Sequence, residues 1–373
     1  MVEFELLSGP NGKQLGVATL NAPKSLNALS FEMVKQLSEQ LLAWQNDERV
    51  AAVLLKGSGE KAFCAGGDVV SLFNAAKADA ERVSDWARDF FTYEYQVDYL
   101  IHTYAKPVVV WGSGIVMGGG LGLMAGASHR VVTETSRIAM PEVTIGLYPD
   151  VGASYFLNRM PGKVGLFLGM TGHGLNAEDA RYVGLADYSL ANAQLDKLID
   201  LLSTQAWDNN AELNHRRVKA CMTELSAERD VDMPAGVLAD NQAQIDELMQ
   251  GELTEIIKRF ESLEYAPKWL ARAAQTMASG SPISLALINY QHAAGQSKSL
   301  ATCFREELAM SVQSLAYGDF VEGVRALLID KDRQPKFQYE RLEQVPEALV
   351  KRITQSPWEA QDHPLANLEQ QGA

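Results

Sequence analysis

Two short apolar runs bounded by Gly or Pro constrain this chain most: "VAAVLLKG" at 50–57 and "KPVVVWGSG" at 106–114. Neither alternates apolar with polar residues, so both read as strands buried on both faces of a sheet. After the second run, "IVMGGGLGLMAGASHRVVTE" reads as a glycine-rich turn that opens a small-residue helix and returns to a strand at 130–134. Strands alternating with helices over residues 1 to about 200 point to an α/β core.

Upstream, "EFELLSGPNGKQLGVATLN" reads as a hairpin turning at Gly9-Pro10-Asn11-Gly12. Ser30 stands where a helix cap belongs, and Met33, Val34, Leu37, Leu41, Leu42 and Trp44 follow at helical spacing. From about 205 the pattern changes to charged helical stretches such as "ELTEIIKRFESL" and "FREELAMSVQSLAYGDFVEGVRALL". The expected organisation is an α/β core over 1–204 that holds the site, and a mostly helical region over 205–373.

The net charge of −14 opposes binding of nucleic acid through phosphate neutralisation, though one local basic group would still admit a small anion. Cys64, Cys221 and Cys303 are odd in number and widely spaced, which fits neither a disulfide framework nor a zinc site. The six histidines show no ligand-like spacing, and no metal is expected. No secretion signal or membrane span is read, and a reducing cytoplasm is the expected location.

Familiar motifs fail on inspection. "GSGIVM" has Met117 where a dinucleotide fingerprint needs its last glycine, "GSGEKAF" lacks the phosphate-loop spacing, and no G-x-S-x-G elbow occurs. What remains is "KAFCAGGDV" (61–69), "VMGGGLG" (116–122) and "MPEVTIGLYPDVG" (140–152). The glycine turns expose backbone N–H groups, and two of them brought together would form an oxyanion hole. Glu142 and Asp150 lie in an otherwise uncharged stretch, where a charge must be paired or used. Their ordinary alternatives are a surface turn carboxylate and an N-cap. Asp68 is read as holding its loop, and Cys64 as a small buried residue.

Taken with "NAPKSLNALS" (21–30), these stretches occur in the order and approximate spacing of the crotonase superfamily, the enoyl-CoA hydratase/isomerase group, which the chain resembles over about its first 190 residues. Further segments are similar to its 3-hydroxyisobutyryl-CoA hydrolase branch: "TYEYQ" with Glu94, the "PDVG" element, and "GDFVEGVRALLIDKDRQPKF" at 318–337. The resemblance implies a ββα spiral core and hydrolysis of an acyl-CoA thioester in valine breakdown. Its carbonyl would be held by the N–H groups of Gly67 and Gly119.

By the same resemblance Glu142 is the nucleophile or general base, and Asp150 positions or activates water. Glu94 would accept the 3-hydroxyl of the acyl group. Lys24, Leu26, Ala65 and Gly66 would bind coenzyme A, which is part of the substrate, so no separate cofactor is implied. The hydratases of the superfamily carry a glutamate where this chain has Gly122, so simple hydration would lack one of its acid/base pair. Hydration or isomerisation, and a non-catalytic CoA-binding module, are the alternatives; homo-oligomers occur in the superfamily.

Overall fold

The computed structural model describes residues 1–79 and 82–371 of the 373. Its strands run, in chain order, β1 (Val2–Ser8), β2 (Gln14–Leu20), β3 (Val50–Gly57), β4 (Ala62–Cys64), β5 (Val108–Gly112), β6 (Ile115–Met117), β7 (His129–Val132), β8 (Arg137–Ala139) and β9 (Tyr188–Ser189). The expected hairpin is β1 against β2, with Val2 opposite Leu20. A larger sheet has the order β1-β2-β3-β5-β7-β9, and a smaller one β4-β6-β8. Beyond the hairpin the named strands pair in parallel among the described residues. The successive pairs β3/β4, β5/β6 and β7/β8 each give one strand to either sheet, which is the ββα spiral.

The uninterrupted apolar character of β3 and β5 has the expected cause. Side chains alternate across a strand, so Val53, Leu55, Val108 and Val110 enter the main core while Ala52, Leu54, Val109 and Trp111 enter a second core on the opposite face. Leu198 and Leu202 of the helix Leu195–Ser203, with Val218 and Met222 of the helix Ala211–Ala227, close that second core.

Helix α1 (Phe31–Asn46) begins where expected, with the Ser30 hydroxyl accepting from Met33 N–H at 3.2 Å. It buries Met33, Val34, Leu37, Leu41 and Trp44, whereas Leu42 falls off the stripe and stays exposed. Next come α2 (Val69–Ala78), α3 (Asp85–His102), α4 (Gly119–Ala125) and the short α5 (Ala153–Phe156). The later residues are mainly helical, as read from their periodicity, and the helix Leu300–Tyr317 lies along α3. Between these two helices the Phe304 ring centroid sits 5.7 Å from Tyr95 and 6.2 Å from Tyr99. Each such buried aromatic contributes about 2 kcal/mol through lost water contact. The main core is therefore continuous from Val2 to Leu368. Among the described residues, no helix is long and apolar enough to cross a membrane.

Candidate active site

The two glycine turns meet at one place. Loop 26–29 runs beside loop 65–68: Ala65 N–H donates to Leu26 O at 3.0 Å, Leu29 N–H to Gly66 O at 2.8 Å, and Asp68 N–H to Leu29 O at 2.9 Å. Asn27 fixes this arrangement from inside, its amide donating to the Ser58 and Ala62 carbonyls, both at 2.9 Å. Asp68 caps α2 through Ser71 N–H at 3.1 Å and Ser71 Oγ at 2.6 Å, which is the loop-holding role read for it. Gly66 (φ 109°) and Gly118 (φ 47°) adopt backbone that a side chain would strain. A Cβ at Gly119 would lie 3.4 Å from Gly67 N, so the two turns stand face to face. At the first position of α4, the Gly119 N–H is one of the donors that helix geometry leaves free.

Opposite these turns lies a cavity of about 220 Å³ lined by Ala65, Gly66, Gly67, Glu94, Gly119, Glu142 and Asp150, among others. Glu94 points from α3, and its Oε1 occupies the space a methyl at Gly119 would need. Glu142 opens a 3₁₀ turn (Glu142–Ile145) after β8, with Oε1 3.1 Å from where a Cβ of Gly118 would be. Asp150 accepts from the Tyr95 hydroxyl at 2.7 Å. All three carboxyls are buried, so the surface-turn reading of Glu142 does not hold. Glu94 Oε1 and Glu142 Oε2 have no hydrogen-bond partner among the described residues.

Burial, and then the charge of Asp150, push both Glu94 and Glu142 well above the usual carboxylate range. Burial also raises Asp150, but the Tyr95 hydroxyl and a backbone N–H stabilise its anion and hold it at about 6. The pocket thus separates its acids: Asp150 ionises most readily, while the glutamates tend to keep their protons.

The loop that carries Asp150 is strained. Val151 has φ 53° and Gly152 φ 88°, and a β-branched residue in the left-handed region costs about 1–3 kcal/mol. The N-cap reading of Asp150 is corrected: Gly152 is the cap position of α5, and the helix N-terminus is satisfied by Glu307 from the helix Leu300–Tyr317. Glu307 accepts from Gly152 N–H at 2.7 Å, Ser154 N–H at 2.8 Å and the Ser154 hydroxyl. Behind Asp150, Tyr95 also contacts Ser311 Oγ at 2.7 Å, and Ser311 in turn contacts Tyr148 Oη at 2.8 Å.

Gly122, where the resemblance sets a glutamate of the hydratases, has no room for a side chain. A Cβ there would stand 2.7 Å from Val151 Cβ and 2.8 Å from Asp98 Oδ2.

Lys24 and Leu26 do not line the first cavity. They border a neighbouring cleft of about 410 Å³ with Asn27, Ser58 and Lys61. Sequence reasoning missed Asp98, Tyr95, Glu307 and Ser311, as well as Leu327 and Leu328, which close the cavity from a π-helical turn at Arg325–Ile329. Asp98 had a signal, since it follows Glu94 by four residues on a helical pattern. Cys64 is buried and free, its thiol pushed up to about 12 by burial.

The enoyl-CoA hydratase/isomerase family model matches residues 15–354. The 3-hydroxyisobutyryl-CoA hydrolase of Danio rerio mitochondria is 39% identical over 91% of this chain and 87% of its own. The small ribosomal subunit protein mS47 of Neurospora crassa is 37% identical over 84% of this chain and 63% of its own. A solved carnitinyl-CoA dehydratase from Mycobacterium thermoresistibile superposes with TM-score 0.82 at 36% identity, covering 95% of this chain and 96% of that one. This chain belongs to the enoyl-CoA hydratase/isomerase family, the crotonase superfamily.

Proposed function

We propose that this chain is an acyl-CoA thioester hydrolase that converts 3-hydroxyisobutyryl-CoA and water to 3-hydroxyisobutyrate and CoA. One observation carries the reading: Glu142 and Asp150 share a cavity with the paired glycine turns, while Gly122 leaves no space for the second glutamate of a hydratase. The curated relatives of that description, at 35–39% identity over about 90% of the chain, support it.

In this reading the thioester oxygen sits between the N–H groups of Gly67 and Gly119, and each such donor lowers the barrier by about 3 kcal/mol as negative charge develops. Asp150, ionised near neutrality, positions the attacking water by accepting a hydrogen bond from it, and takes its proton in the route where Glu142 is the nucleophile. Glu142, in the fraction of molecules where it is ionised, acts at the carbonyl in one of two ways. As nucleophile it forms a C–O bond while the C–S bond breaks, giving a mixed anhydride that water cleaves; as general base it assists direct attack of water. Single-turnover hydrolysis in oxygen-18 water separates these routes, since label retained on Glu142 requires the anhydride.

Glu94 accepts the 3-hydroxyl of the acyl group, which penalises acyl chains lacking it. Ala65 and Gly66 hold the thioester end of coenzyme A, with Leu26 and Lys24 farther along in the adjoining cleft. Coenzyme A belongs to the substrate, and no separate cofactor enters the scheme. The reaction would stand in valine breakdown. The reduced-thiol composition fits the cytoplasm, although several vertebrate relatives are described as mitochondrial. Homo-oligomers would accord with the superfamily, and light scattering tests this directly.

The likeness to the Neurospora ribosomal protein favours a second reading, a crotonase fold used only for assembly. Thiol release from 3-hydroxyisobutyryl-CoA, run beside crotonyl-CoA watched for hydration, decides. Release without hydration establishes the hydrolase, hydration without release overturns it, and neither activity leaves the assembly reading.

A further inference from the structure

Asp98 takes no part in the scheme above, yet it is the most enclosed carboxyl near the site. Its exposure is 0%, and neither oxygen has a hydrogen-bond partner among the described residues. It stands one helical turn from Glu94 on α3, and its carboxyl, with Val151, the strained residue next to Asp150, fills the space that a Cβ on Gly122 would need. We propose that Asp98 is carried as a neutral carboxylic acid while the enzyme turns over, and that its ionisation shuts the site on the alkaline side. The proposal rests on the hydrolase reading for its activity readout but not for its spectroscopic one.

The groups that face Asp98 point one way. Glu94 lies on its own helix, Asp150 on the loop before α5, and Glu307 on the helix Leu300–Tyr317; each disfavours a further negative charge. Cys64 of β4 adjoins both Asp98 and Glu94 and keeps its proton. His102, another turn along α3, is held by burial at about 4 and so supplies no cation near neutrality. An enclosed carboxylate with neither a donor nor a cation is costly enough that the group keeps its proton instead. That proton lets several carboxyls pack behind one pocket without adding a further charge among them. Once lost, it would set a further negative charge behind Asp150 and Glu94, where the thioester carbonyl must gain negative character.

The test is Asp98→Asn, because the amide has the shape of the neutral acid. Thiol release near pH 7 should stay within about twofold of the parent, with the acid limb of the pH profile unmoved and the alkaline limb shifted upward or abolished. Difference infrared spectra of protein labelled with carbon-13 at the aspartate side-chain carboxyl, recorded at pH 8, should show a protonated-acid carbonyl band that Asp98→Asn removes. An acid limb that moves down in the variant, an unmoved alkaline limb, a missing band, or a variant that does not fold would each overturn the proposal. Should the chain lack hydrolase activity altogether, the band still decides whether Asp98 is neutral.

Discussion

Two buried carboxylates in this molecule are treated in opposite ways. Glu307, 1% exposed, accepts from Gly152 N–H, Ser154 N–H and the Ser154 hydroxyl, and it secures the cap of α5. Glu142, 6% exposed, keeps Oε2 without any partner among the described residues and turns toward a cavity. Asp179 belongs with Glu307, accepting from Val237 and Leu238 N–H at 2.8 and 2.9 Å, and Glu94 belongs with Glu142. Desolvating a carboxyl is costly in both cases. For Glu307 and Asp179 protein donors offset that cost and the group builds structure; Glu142 and Glu94 lack such donors on one oxygen and face the cavity instead.

The comparison breaks most easily at its ends. Glu142→Gln should slow thiol release by about 10³-fold, within the usual range for a lost acid/base group, and its urea midpoint should hold or rise because a buried acid has been neutralised. Glu307→Ala should do the reverse first. Leaving Gly152 and Ser154 donors unpaired at a buried helix start should cost about 3 kcal/mol in urea unfolding, with activity falling only as the Asp150 loop loosens. Gly122→Ala should cost about 2 kcal/mol by overpacking against Val151 and Asp98, and no hydration of crotonyl-CoA should appear.

The smallest change concerns pH. Asp150 must be ionised to position the attacking water or take its proton, so activity should fall as pH drops through about 6, well above the ordinary aspartate range. Tyr95→Phe removes a donor to that anion and should move this acid limb up by about one pH unit, equivalent to about 1.4 kcal/mol. An unmoved limb would detach Tyr95 from the chemistry.

Much of this was legible in the residues themselves. The unbroken apolar runs of β3 and β5 identify a sheet covered on both faces, and Ser30 with its spaced apolar followers marks α1 correctly. The resemblance to the crotonase superfamily, carried by the glycine turns and the 140–152 stretch, is what placed Glu142 and Asp150 with those turns, and they line one cavity. Glu307 and Ser311 lie 157 and 161 positions from Asp150 in the sequence. Nothing local in "FREELAMSVQSLAY" says that its glutamate satisfies a distant helix start, because that bond depends on how two helices dock. The N-cap reading of Asp150 failed for the same reason: the donors at 152 and 154 were already taken by a residue far along the chain. Asp98 was half legible: its spacing from Glu94 puts the two on one helix face, but such an acid reads as solvated until the space at Gly122 is known.

The central claim is that Glu142, buried, unpartnered and facing the cavity, belongs to the chemistry, whereas Glu307, buried and held by three protein donors, belongs to the scaffold. The most direct measurement is the rate of CoA release from 3-hydroxyisobutyryl-CoA by Glu142→Gln, taken together with its urea unfolding midpoint against the parent protein. The account predicts a loss of about 10³-fold with no fall in the midpoint. Activity within tenfold of the parent, or a loss of activity matched by a collapse in stability, would place Glu142 in the scaffold and contradict it.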